Sequence, residues 1–136
     1  MPLISVPTMK QVLVLEDDRD VLALLCLILR SKGYVVLAAG TADEAFQHAA
    51  RCNAAGIDLL IADMVLTAST GVRVGLKLKQ GMPDLKLLIV SGYPEDIWRD
   101  RNFEDLKELA SDSVAILRKP FRPDILVERV RELIGA

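Results

Sequence analysis

The feature that most constrains this chain is a fivefold alternation of short, predominantly apolar runs with amphipathic segments, in which most runs stop abruptly at a polar residue. The runs are Gln11–Leu15, Tyr34–Ala38, Ile57–Ala62, Leu85–Val90 and Val114–Leu117. Each has the length of a strand, and apolar side chains on both faces suit a parallel sheet covered on two sides. Between them lie stretches with helical spacing. Val21, Leu22, Leu24, Leu25, Ile28 and Leu29 recur at that spacing until Lys32-Gly33, a helix stop. Thr41-Ala42-Asp43-Glu44 matches a capping box that opens a second helix. Gly71 precedes a helix over Val72–Lys79, Glu95–Ala110 reads as helical, and Pro123 suits the first turn of a last helix. Repeated βα units imply an α/β fold, a parallel sheet joined by right-handed crossovers. In such sheets ligands bind outside the carboxyl ends of the strands.

Composition narrows the function. With 136 residues the chain has room for one domain, read here as a loose tail over 1–10 and a folded unit over 11–136. Half of it is apolar and its net charge is -2, so it has a core to bury and no basic surface for nucleic acid. Its longest apolar helical stretch, VLALLCLIL, is too short for a membrane span of about 20 residues. Cys26 and Cys52 form no Cys-x-x-Cys pair, which argues against zinc, and Cys26 reads as a buried free thiol. The expected compartment is the cytoplasm.

Four of the five runs end in residues capable of chemistry: Glu16 and Asp17 after the first, Asp63 after the third, Ser91 after the fourth and Lys119 after the fifth. Parallel strands would gather these at one edge. Two carboxylates about 4 Å apart repel by about 4 kcal/mol at an effective dielectric near 20, so such a cluster needs a cation. Hard oxygen donors without His or Cys point to Mg²⁺ or the similar Mn²⁺. Taken singly each residue has a plainer explanation. Acids after a strand often cap the next helix, as Asp18 is expected to do, serine is a common turn residue, and lysines line surfaces. Their order and strand-end placement together make the case for a site.

The stretches VLVLEDD, DLLIADMVL, LLIVSGYPED and LRKPF resemble the receiver domain of two-component response regulators, and the resemblance runs from Gln11 nearly to the end. It implies a flavodoxin-like, doubly wound (βα)5 fold with strand order 2-1-3-4-5. It also implies roles. Glu16 and Asp17 match the metal-binding acids, Asp63 the phosphoacceptor, and Val65 the position whose backbone carbonyl completes the metal site. Ser91 matches the switch hydroxyl and Lys119 the lysine of the motif. The implied donor is a phosphohistidine on a histidine kinase or a histidine phosphotransfer protein. The implied output is a downstream protein or a fused domain, with homodimerisation left open. Such a chain is a phosphoacceptor that acts on itself and not an enzyme with a separate substrate.

Three departures stand out. Ile116 occupies a position that is usually aromatic, Thr67 stands where proline is usual, and the stretch from Ser91 to Lys119 is longer than usual. Ile116 favours an alternative, a phosphorylation-independent module with a decayed switch. A phosphatase of the haloacid dehalogenase type is excluded, since it needs an acid where Val65 stands. The absence of an output domain after the last helix implies a single-domain regulator or a receiver cut from a larger protein, and SGYPED resembles receivers of hybrid kinases. Phe103 reads as core, Trp98 as core or an exposed anchor, and His48 as a surface residue remote from the strand ends.

Overall fold

The runs that end at Leu15, Ala62 and Val90 become inner strands shielded on both faces, whereas those around Val36 and Ile116 become partly exposed edge strands, and backbone pairing gives the buried amides their partners. The structure, a computed structural model, describes residues 9–52, 56–66, 70–92 and 113–135. The expected helix at Glu95–Ala110, with Trp98 and Phe103, lies outside them, as do Thr67 and most of the tail.

The strands are β1 (Gln11–Leu15), β2 (Val35–Ala39), β3 (Leu59–Asp63), β4 (Lys86–Ser91) and β5 (Val114–Arg118). The helices are α1 (Arg19–Ser31), α2 (Ala42–Cys52), α3 (Gly71–Gly81) and α4 (Pro123–Ile134). These five strands pair only in parallel, and their order is β2-β1-β3-β4-β5, the flavodoxin-like order.

Right-handed crossovers then dictate the layers. The chain leaves β1 in one direction and returns past it to reach β3, so α1 must cover one face while α2 and α3 cover the other. Side chains follow. Val12, Val14, Leu59 and Ile61 pack with Leu25 and Leu29 of α1 and Leu126 and Val130 of α4. Leu13, Leu15, Leu60 and Leu87 pack with Ala45 of α2 and Val72, Val74 and Leu78 of α3. Truncating a fully buried leucine such as Leu60 to alanine would cost about 2–5 kcal/mol.

Local signals set the helix ends. The Asp18 carboxylate accepts the amides of Asp20 and Val21, as expected of a cap. Thr41 accepts the Glu44 amide at 3.2 Å, and the Glu44 carboxylate lies 3.5 Å from the Thr41 hydroxyl. Pro123 opens α4. Cys26 is buried and free, and burial pushes its thiol pKa up.

His48 differs from its expected surface placement. It is half-buried, and its Nε2 lies 2.9 Å from the Ala38 carbonyl of the edge strand β2. A carbonyl only accepts, so Nε2 carries the proton. Arg30 donates likewise to the Val36 carbonyl at 3.0 Å, so two side chains occupy acceptors along this edge.

Candidate functional site

The reversal of direction between β1 and β3 opens a crevice at the carboxyl end of the sheet. Register delivers the expected residues there. Leu15 pairs with Ala62, so Glu16 and Asp17 leave β1 beside Asp63, the last residue of β3. Asp63 pairs with Val90 and Ser91 with Arg118, which places Ser91 and Lys119 at the same level on the far side. The Lys119 amide donates to the Ser91 carbonyl at 2.8 Å, and a cis peptide bond joins Lys119 to Pro120.

The side chains converge. Lys119 Nζ lies 2.8 Å from Asp63 Oδ2 and 3.5 Å from Glu16 Oε2. Carboxylate oxygens of Glu16, Asp17 and Asp63 all lie within 4.8 Å of one another. The other Asp63 oxygen, Oδ1, accepts the Val65 amide at 3.1 Å. Glu16 is only 3% exposed, whereas Asp17 faces solvent and Asp63 lies between. Ser91 is buried at the end of β4.

Burial and charge disturb two groups. Burial raises the Glu16 pKa above its ordinary 4.5; the Asp18 amide at 3.1 Å opposes the rise, the Asp63 charge adds to it, and Lys119 opposes it. For Lys119, burial alone would lower the pKa. The hydrogen bond and charge of Asp63, then those of Glu16, outweigh it and lift the ammonium above its ordinary 10.5. Lys119 therefore contributes stability that is fully present below 10.5 and is lost as pH rises through the lifted value.

The donor set fits a hard divalent cation. Every candidate ligand is an oxygen, and one of them, Glu16, is buried and, among the described residues, shares the Lys119 ammonium with Asp63 as its counter-charge. Mg²⁺ and Mn²⁺ take such sets, while a thiol- or imidazole-seeking metal does not.

All the sequence-derived site residues thus reach the carboxyl edge. Three contributors escaped sequence reading. The Asp18 amide steadies Glu16, the Glu16–Lys119 pair spans 103 positions, and Gly71 touches the backbone of Asp63. Only the first had a local signal, since an acid two residues before a cap is within reach of that amide.

Comparison with known proteins decides the family. A family model of the response regulator receiver domain matches residues 12–131. The chain belongs to that family. Its relatives carry the same domain in different settings. It is 30% identical over 123 residues to the sensor kinase CckA of Brucella abortus, covering 90% of this chain but only 12% of that protein. It is 25% identical over 128 residues to the response regulator receiver protein CpdR of the same organism, covering 94% and 99%. The crystal structure of TrrA from Thermotoga maritima, in complex with Mg(2+)-BeF, superposes with a TM-score of 0.73 at 26% identity, covering 92% of this chain and 99% of that one. This is therefore a receiver domain of two-component signalling. No helix among its described residues is long and apolar enough to cross a membrane.

Proposed function

We propose that this receiver, occupying 11–136 behind the short segment 1–10, takes a phosphoryl group from a phosphohistidine onto Asp63. The observation that carries the proposal is the placement of Lys119 Nζ 2.8 Å from Asp63 Oδ2, beside the acids Glu16 and Asp17. An Asp63 oxygen attacks phosphorus, an O–P bond forms, and the N–P bond of the donor breaks. The electron pair returns to the donor imidazole, which takes a proton.

Positioning and charge neutralisation supply most of the help in phosphoryl transfer. Lys119 meets the negative phosphoryl oxygens and holds the carboxylate that attacks. Glu16, Asp17, Asp63 and the Val65 backbone carbonyl would hold Mg²⁺ or Mn²⁺, which supplies the rest of that neutralisation when bound. That a chain of this fold, TrrA, has been crystallised in complex with Mg(2+)-BeF supports this reading. Ser91 is then the hydroxyl that donates to the new phosphate, which carries roughly two negative charges and so biases the surface beyond β4.

The donor is a histidine kinase or a histidine phosphotransfer protein, and the reader of the switch is a downstream protein or a domain on the same chain. A cytoplasmic location suits a receiver that meets such a donor. The only chemistry it performs is on its own aspartate.

Intact-mass measurement after acetyl phosphate treatment with Mg²⁺ tests this. One added phosphoryl group is expected on the wild type and none on Asp63→Asn or in excess EDTA. A wild type that gains nothing, or an Asp63→Asn protein that gains as much, would falsify the assignment.

A further inference from the structure

Gly71 opens α3 with no conformational need for glycine; positive φ is found at Gly33, Gly56 and Gly135 but not there. Glycine is among the poorest helix formers, so local preference alone would favour alanine at this position. Space gives the reason. A Cβ at Gly71 would run into the Asp63 carbonyl oxygen, and would lie 2.9 Å from the Ala62 Cβ and 3.1 Å from the Asp63 carbonyl carbon. Two of those atoms are backbone, and Asp63 sits in the middle of a parallel sheet, so the contact cannot be relieved by turning a side chain.

The same contact closes the loop that follows Asp63. The Gly71 amide donates to the Met64 carbonyl at 3.2 Å, and Val65 forms an antiparallel bridge with Thr70. Thr70 caps α3 by accepting the Arg73 amide at 3.2 Å. Met64 is fully buried, and its amide donates to the Val90 carbonyl of β4 at 2.8 Å. The first turn of α3 is thus fastened directly to the backbone of Asp63 and Val65, with no room between.

The geometry points to Gly71 as a positioning residue for the phosphoacceptor: its missing side chain lets α3 seat the Asp63 carboxylate and the Val65 backbone within the acidic cluster. This rests on the reading of Asp63 as phosphoacceptor. Gly75, one turn further along α3, supplies an internal control. A Cβ there would collide with Leu87 Cδ2, a buried side chain of β4 rather than the site backbone. Both alanine variants crowd the same helix, and only one crowds the site.

The test compares wild type, Gly71→Ala and Gly75→Ala by thermal melting, calorimetric Mg²⁺ titration and phosphoryl uptake from acetyl phosphate. Both variants are expected to melt lower. Gly71→Ala should bind Mg²⁺ at least tenfold more weakly and take up phosphoryl more slowly by a similar factor, while Gly75→Ala keeps its Mg²⁺ affinity within twofold. A Gly71→Ala protein with wild-type affinity, or a Gly75→Ala protein weakened as much, overturns the inference while leaving the proposed function standing. A wild type that neither binds Mg²⁺ nor takes up phosphoryl overturns the function itself, and the inference with it. If Gly71→Ala does not fold, Thr70→Ala loosens the same anchor without a clash. Weakened Mg²⁺ binding then supports the inference, and unchanged binding overturns it.

Discussion

The two ends of the sheet are both polar, yet they are built on opposite principles. At the amino end, Asp58 precedes β3 and Gln11 begins β1. The Gln11 amide donates to Asp58 Oδ2 at 2.8 Å, the Asp58 amide donates to the Gln11 carbonyl at 2.9 Å, and the Lys86 amide donates to the Asp58 carbonyl at 3.1 Å. The Gln11 side-chain amide reaches the Gly56 carbonyl at 2.7 Å and Cys52 Sγ at 3.1 Å. The Asp58 carboxylate there is held by a main-chain amide, and the Asp58 backbone ties β1 and β4 to the start of β3. At the carboxyl end, Glu16 and Asp63 share a single ammonium, with a third acid inside the same 4.8 Å cluster. A polar strand end is thus not itself a sign of chemistry. What distinguishes the functional end is a set of like charges close enough together for one cation to meet all three.

Substitutions should separate the ends sharply. The largest effect is expected from Lys119→Ala, which removes the charged partner of Asp63. A charged hydrogen bond contributes about 1.5–3 kcal/mol, so phosphoryl uptake from acetyl phosphate should slow by roughly 10- to 100-fold. Mg²⁺ affinity should move the other way and tighten, because one of two competing cations is gone. Weaker Mg²⁺ binding in this variant would mean that Lys119 organises the acids rather than competing with the metal.

Next comes Glu16→Gln, expected to weaken Mg²⁺ by about tenfold while making the metal-free protein more stable near neutral pH. The sign follows from the raised pKa of Glu16. The folded chain holds that proton more tightly than the unfolded one, so the contribution of Glu16 to wild-type stability is fully present below 4.5 and is lost as pH rises through the raised value. Glutamine lacks this loss. Chemical denaturation of both proteins in EDTA across that range checks it, and parallel stability curves would show that the burial of Glu16 carries no cost. The smallest effect belongs to the other end. Asp58→Ala should cost about 1–2 kcal/mol of stability and leave phosphoryl uptake within twofold; a loss of uptake approaching that of Lys119→Ala would erase the distinction between the ends.

Much of this contrast is legible in the amino-acid sequence, for a physical reason. Strands buried on both faces must be apolar throughout, so a run such as Leu59–Ala62 that stops at Asp63 marks both the strand and its exit. Parallel pairing then carries five exits to one side. Boundaries read less cleanly. Tyr34 resembles the start of β2, but the strand begins at Val35 and runs to Ala39. Tyr34 is instead buried ahead of it, with its hydroxyl donating to the Gly135 carbonyl at 2.7 Å, a contact across 101 positions that no local pattern records. The same holds for His48, whose Ala38 partner depends on how α2 lies against the edge strand. Gly71 reads as a helix start, whereas its reason is a backbone contact made only after folding. Ile116, the departure that favoured a decayed switch, is 41% exposed on β5, and the acidic cluster and its lysine are assembled regardless of it.

The most direct test of the account is a Mg²⁺ titration followed by amide NMR on the wild-type protein. Saturable shifts are expected at residues 16–18, 63–65, 91 and 119, with Gln11, Gly56, Asp58 and Lys86 unmoved. Shifts that are absent from the first group, or equally large at the amino end, would contradict it.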